Sequence, residues 1–127
     1  MNQQTTAKVQ SVRTVGIPVT DQDRALEFYV GTLGLEKRLD APVPQLGGRW
    51  IEVAPAGSST SLALVPARTD LPAGGETGVR LSTGSAAAVH EALRGRGVEV
   101  GDLLTWPGVP PKFALRDPDG NGLEIVE

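Results

Sequence analysis

The chain has 127 residues, a formal net charge of −3 and no cysteine. That length suits one folded domain with an apolar core, and the absence of cysteine excludes disulfides and thiolate metal sites. The basic residues are scattered along the chain, which argues against nucleic acid as a partner. No stretch approaches the roughly 20 apolar residues of a membrane span, and no apolar signal region opens the chain, so we expect a cytoplasmic protein without a membrane partner.

The first half of the sequence predicts a strand, a helix and three further strands. Residues 12–19 alternate apolar and other side chains, as a strand with one apolar face does. Thr20 and Asp23 have the spacing of a capping box, and residues 21–33 carry apolar side chains at helical spacing until Gly34 ends the helix. The three further strands are predicted at 35–39, 49–55 and 61–65.

The second half repeats this order after a Pro/Gly-rich connector at 67–76. A strand at 78–82 precedes a helix at 85–97, and "DPDGNG" at 117–122 is a strong turn signal. The remaining strands are predicted at 98–104, 113–116 and 123–126.

The two halves also share residues at matching positions. "GLEK" at 34–37 aligns with "GVEV" at 97–100, with helix over helix. We therefore predict an α+β fold of two tandem βαβββ modules, about 12–66 and 77–127, within a single domain that covers residues 1–127. A helix covers one face of each sheet, so the helices lie outside and the mixed sheet curves into a cup on the other side.

Residues 14–36 read "TVGIPVTDQDRALEFYVGTLGLE" and residues 117–127 read "DPDGNGLEIVE". Together these segments resemble the vicinal oxygen chelate superfamily, which holds glyoxalases, extradiol dioxygenases, fosfomycin-resistance enzymes and bleomycin-resistance proteins. The resemblance covers about residues 12–127. It implies paired βαβββ modules that form a cup-shaped sheet around a ligand site, usually in a homodimer.

In metal-dependent members of this superfamily, histidine, glutamine or glutamate from four strand positions binds a divalent ion. Only Glu124 supplies a strong donor here, and a divalent ion needs several. The single histidine, His90, falls on the second helix, so we expect no metal and no cofactor. A site made of Glu52 and Glu124 stays open as an alternative. By resemblance, the four positions fall at Thr14, near 61–63, at Thr77 or Gly78, and at Glu124.

Three of the five aromatic residues, Trp50, Trp106 and Phe113, lie outside the predicted helices and are candidates for a ligand site. Trp50 shares a predicted strand face with Glu52, and Trp106 stands in a proline-stiffened loop, so both suit stacking with a flat ligand. Glu124 forms a structural salt bridge with Arg80 or Arg116, is solvated by water, hydrogen-bonds a ligand, or acts as a general acid or base. The predicted ligand-binding residues are Thr14, Trp50, Glu52, Trp106, Phe113 and Glu124.

These observations favour a metal-free binding protein that sequesters a small molecule, such as a drug or natural product, in its cup. The resemblance is nearest in kind to the bleomycin-resistance branch, which also lacks the metal ligands. The alternative is a lyase, isomerase or dioxygenase that depends on a metal or on glutamate. A third possibility is a dimeric scaffold without a small-molecule ligand.

Overall fold

The computed structural model describes residues 7–127, which form an α+β fold with two sheets. The first sheet has the strand order β1-β4-β3-β2 and the second has the order β5-β7-β6. The pairs β1/β4 and β5/β7 are parallel, and the other pairs are antiparallel. The elements are β1 (Thr14–Val19), α1 (Gln22–Leu26), β2 (Glu36–Val43), β3 (Gly48–Ala54), β4 (Ser61–Pro66), β5 (Glu76–Ser82), α2 (Ala86–Gly95), β6 (Lys112–Arg116) and β7 (Gly122–Val126). No helix in this part of the chain has the length and apolar character needed to cross a bilayer.

The cap of the first helix lies one residue later than predicted. Asp21 caps it by accepting a hydrogen bond from the Arg24 amide at 3.0 Å, whereas the predicted cap, Thr20, bonds Asp119 instead. The capping-box prediction is therefore wrong, because the Thr20 side chain donates a hydrogen bond to Asp119, which is distant in sequence. The α-helix widens into a π-helix at Glu27–Thr32, and Gly34 with a φ of 78° ends the segment as predicted.

The second sheet has three strands instead of the predicted four. Residues 98–104 contribute only two isolated bridges, which join Val100 to Leu115 and Leu104 to Lys112. Gly101 interrupts this segment, and prolines that cannot donate to a ladder follow it. In the first sheet, strand β2 is longer than predicted. It ends at Val43, whereas the predicted strand ends at residue 39.

One apolar core lies between the helices and the two sheets. Ile51 and Val53 of β3 are fully buried in it, and so are Ile17 and Tyr29. Strand alternation directs the intervening residues away from this core. We call the two resulting surfaces the first open face (Thr14, Gly16, Leu39, Trp50, Glu52, Ser61) and the second open face (Gly78, Arg80, Lys112, Ala114, Glu124).

The turn between β6 and β7 ties the second half of the chain to the first. The buried Asp117 carboxylate accepts a hydrogen bond from the Tyr29 hydroxyl at 2.8 Å, and Asn121 Nδ2 donates to the Pro18 carbonyl at 2.8 Å. Burial, followed by the charge of Asp117, raises the pKa of Tyr29, so the phenol stays protonated. We call these four residues the polar joint.

The corresponding position in the other half is a cleft. There the loop between β3 and β4 approaches the end of β5 and helix α2, and a cavity of about 330 Å³ lies between them. Leu33, Pro55, Leu81, Ala92 and Arg96 are among the residues that line it. The two halves are thus joined by a polar network on one side and a partly open cleft on the other.

Candidate functional site

A carboxylate held by two neutral donors lies on the first open face. Trp50 Nε1 donates to Glu52 Oε2 at 2.8 Å, and Ser61 Oγ donates to Glu52 Oε1 at 2.8 Å. Trp50 and Glu52 are two residues apart on β3 and so share a face, while β4 brings Ser61 alongside and pairs it with Thr14 on β1. Trp50 and Glu52 therefore share a strand face, as predicted.

These hydrogen bonds keep Glu52 ionised. The bond from Trp50, then the bond from Ser61, hold the pKa of Glu52 below its ordinary value, and the charge of Arg13 adds to this. Among residues 7–127, no cation lies within salt-bridge distance of Glu52. A carboxylate has about four acceptor positions, so Glu52 can still accept a hydrogen bond from a ligand.

The second open face has a different electrostatic character. Arg80 Nε donates to Glu124 Oε1 at 2.8 Å, and Lys112 Nζ lies 3.6 Å from Glu124 Oε2. Lys112 also lies 6.0 Å from the centre of the Trp106 ring, which is 54% exposed. Two cations thus surround one carboxylate, and a cavity of about 180 Å³ lies beside Arg80 and Glu124.

The predicted metal positions do not form a donor set in this structure. Thr14 and Ser61 offer hydroxyls only, and Thr77 directs its hydroxyl to the Gly122 carbonyl at 2.7 Å. Glu124 is engaged by two cations, and no cluster of three or more His, Cys, Asp or Glu side chains occurs in the described range. These residues do not fit the divalent ion of the metal-dependent members.

The remaining predicted site residue, Phe113, lies in the core. It is 1% exposed and packs edge-on against the His90 ring, with ring centres 4.9 Å apart. Its strand neighbours Lys112 and Ala114 face the other way, so the β6 alternation places Phe113 on the helix side. This position corrects the expectation that Phe113 faces a ligand.

Two contributions to the site were not predicted. Ser61 orients Glu52, and Lys112 shares Glu124 with Arg80. Both depend on how strands pair, which a single strand's pattern does not reveal. The predicted salt bridge from Arg80 is present, whereas Arg116 pairs with Glu76.

With this geometry in view, comparison with known proteins defines the class of protein. The chain belongs to the glyoxalase/bleomycin resistance protein/dioxygenase superfamily, whose family model matches residues 11–125. The resemblance found in the sequence is thereby confirmed.

Two solved structures share the fold and about a third of the residues. TnmS3, an antibiotic binding protein from Streptomyces sp. CB03234, is 35% identical with a TM-score of 0.84, and the match covers 93% of this chain and 95% of TnmS3. A member of the same superfamily from Sphaerobacter thermophilus DSM 20745 is also 35% identical with a TM-score of 0.84, and covers 94% of this chain and 98% of that one.

A shorter match comes from a bacterial protein described as uncharacterized. YetH of Bacillus subtilis (strain 168) is 34% identical over 59 residues, which is 46% of this chain. The match spans 48% of YetH, so this chain covers about half the length of that relative.

Proposed function

We propose that this protein binds a flat, partly aromatic small molecule on its open faces without a metal, and sequesters a drug or natural product in this way. The observation that carries the proposal is the hydrogen-bonded group formed by Trp50, Glu52 and Ser61 on the first open face. The likeness to TnmS3, an antibiotic binding protein, supports the same kind of ligand.

The proposed binding mode uses an aromatic surface that is already oriented. The bond from Trp50 Nε1 to Glu52 fixes the indole, so stacking a ligand on it costs little conformational entropy. Glu52 then accepts a hydrogen bond from a ligand hydroxyl or amine, and Thr14 lies across β4 on the same face. Trp106 offers a second aromatic surface, in the loop before β6 and 6.0 Å from Lys112 of the second open face.

We also propose that the working form is a cytoplasmic homodimer. Its support is the apolar side chain of Leu39, which is 45% exposed on the edge strand β2. Burial of this side chain against a second copy would remove it from water. Sedimentation velocity should give a dimer at micromolar concentration, and a monomer across that range would exclude this arrangement.

The binding proposal is tested by titrating tryptophan fluorescence with a panel of aromatic natural-product antibiotics. Two single-tryptophan variants, Trp50→Phe and Trp106→Phe, separate the two signals. We expect saturable quenching, and we expect Trp50→Phe to weaken binding about tenfold, because an aromatic anchor contributes more than its contact area alone. N-acetyltryptophanamide controls for inner-filter effects. Absence of saturable quenching with the whole panel would refute the proposal.

The alternative is an enzyme that depends on a metal or on Glu52. A carboxylate whose pKa lies below its ordinary value is a weak general base at neutral pH, so the geometry gives this alternative less support. The two functions differ in what happens to the ligand. Mass spectrometry after long incubation should recover a bound ligand unchanged, whereas conversion that Glu52→Gln abolishes would establish catalysis.

A further inference from the structure

We infer that the second open face binds an acidic group of the ligand, through Arg80 and Lys112. This inference rests on the proposed function and deepens it, because it names the chemical class of the ligand. The class is a flat aromatic molecule that carries a carboxylate or an ionised hydroxyl. Three features of this face favour such a ligand: its charge balance, its free hydrogen-bond donors and its open surface.

The charge balance leaves one positive charge unmatched. Arg80 and Lys112 share Glu124, which neutralises only one of them. The nearest other cation on this sheet, Arg116, is bound to Glu76 and to the Gly120 carbonyl. The surplus therefore belongs to the Arg80–Lys112 pair.

Both cations have hydrogen-bond donors that Glu124 does not use. Arg80 uses Nε for Glu124, and its side chain is 72% exposed, so the terminal guanidinium N–H groups face solvent. A guanidinium has five donors in a planar fork, which matches a carboxylate or another acidic oxygen pair. Lys112 has three donors and only a long contact, at 3.6 Å, with Glu124.

An open cavity of about 180 Å³ lies beside Arg80 on this face. Gly78 and Ala114 contribute little bulk to its lining, and of its two carboxylates Glu124 is bound by Arg80 and Glu76 by Arg116. A methyl group added at Gly78 would meet nothing within 4 Å, which shows how open this floor is. Trp106 lies near Lys112 and offers an aromatic ring at the edge of the same region.

The first open face cannot take the same group. Glu52 is ionised and has no cation at salt-bridge distance in the described part of the chain, so it repels a ligand acid. Within residues 7–127, Glu52 thus has no cation in a salt bridge, whereas two cations surround Glu124. A ligand that contacts both would place its hydrogen-bond donor at Glu52 and its acid at Arg80 and Lys112.

The test compares 2-naphthoate with 2-naphthamide by isothermal titration calorimetry, because the two probes differ in charge but hardly in shape. We expect the acid to bind about tenfold more tightly at low salt, and to lose this advantage in 0.5 M NaCl. Arg80→Gln and Lys112→Gln should each weaken acid binding about five- to tenfold and leave amide binding unchanged. Arg94→Gln, an exposed substitution on helix α2, is the charge-matched control and should change neither.

Glu124→Gln gives the sharpest result, because it removes the acceptor that competes with the ligand. We expect it to tighten acid binding severalfold, whereas weaker binding of the acid would overturn the inference. Equal binding of acid and amide to the unmodified protein would also overturn it. In that case, saturable tryptophan quenching by the antibiotic panel would show that the proposed function still stands. If neither probe binds and the panel gives no quenching, both proposals fail.

Discussion

The two carboxylates of the site are held in physically different ways. Glu52 accepts hydrogen bonds from neutral donors, Trp50 and Ser61, which favour its ionised form without cancelling its charge. Glu124 is held by Arg80 and Lys112, which more than cancel its charge. Residues of the same type therefore give the two open faces different electrostatic character.

The environment of Glu52 predicts a pH dependence of stability. In Glu52→Gln an amide group faces one of the two donors, so we expect a loss of about 1 kcal/mol in the free energy of unfolding at pH 7. The folded-state pKa of Glu52 lies below its ordinary value of 4.5, so the carboxylate's contribution is full above that value and is lost as pH falls through the folded pKa. Urea unfolding at several pH values measures the difference between the two proteins.

An exposed glutamate on helix α2 supplies the control for this experiment. Glu91→Gln should change stability little at any pH, because Glu91 has no salt-bridge partner within residues 7–127. A Glu52→Gln deficit that stays constant down to pH 2 would contradict the assignment, since it would not depend on ionisation.

At the scale of elements, the polar joint predicts strong coupling between the first helix and the β6–β7 turn. Tyr29→Phe removes a donor from the buried Asp117 carboxylate, and we expect it to cost about 1–3 kcal/mol. Asp117→Asn should cost at least as much, because Asp117 also accepts from the Asn121 side chain and from the Asp119 and Asn121 amides. Urea unfolding of both single variants and the double variant completes a thermodynamic cycle.

The sign of the coupling free energy in this cycle follows from the shared hydrogen bond. The double variant should lose less stability than the sum of the single variants, because either change alone breaks the same hydrogen bond. Additive losses would mean that the Tyr29 and Asp117 side chains act independently, which the 2.8 Å contact does not allow.

Sequence patterns predicted those features of the site that depend on one strand. Trp50 and Glu52 share a face because side chains alternate along any strand, so their proximity was predictable before pairing was known. The same rule, applied to β6, places Phe113 with Leu115 in the core. Phe113 therefore lies on the helix side of β6, against the His90 ring, and does not face the open side as predicted.

Features that depend on distant partners could not be predicted in this way. Thr20 has the sequence signature of a helix cap, but Asp119 lies close enough in the fold to bind it. Ser61 becomes part of the site only because β4 pairs beside β3. The predicted strand at 98–104 is a similar case. Its sequence has the apolar pattern of a strand, but only two isolated bridges to β6 form there.

At the scale of the whole molecule, the two halves are joined by the polar joint on one side and meet at the cleft on the other. We expect an apolar side chain added at the cleft to stabilise the fold. Ala92→Leu places a larger side chain at the edge of the cavity of about 330 Å³ at only a small cost in helix propensity. We expect a gain of about 0.5–1 kcal/mol in the free energy of unfolding from the extra buried apolar area.

Thermal and urea unfolding measure this gain against a matched substitution on the same helix. Ala87 is exposed and does not line the cleft, so Ala87→Leu should leave stability nearly unchanged. Equal gains from both variants would mean that the effect belongs to the helix and has no connection with the cleft.

The polar joint also bears on the order in which the molecule assembles. Asn121 and Pro18 are separated by 103 positions along the chain, and Tyr29 and Asp117 by 88. Contacts between such distant residues require closure of a long loop, so they tend to form after local strands and helices. We therefore expect Tyr29→Phe to accelerate unfolding while leaving the refolding rate almost unchanged in stopped-flow experiments. The hydrogen bonds that join the two halves would then form last in folding, and their rupture would set the lifetime of the native state.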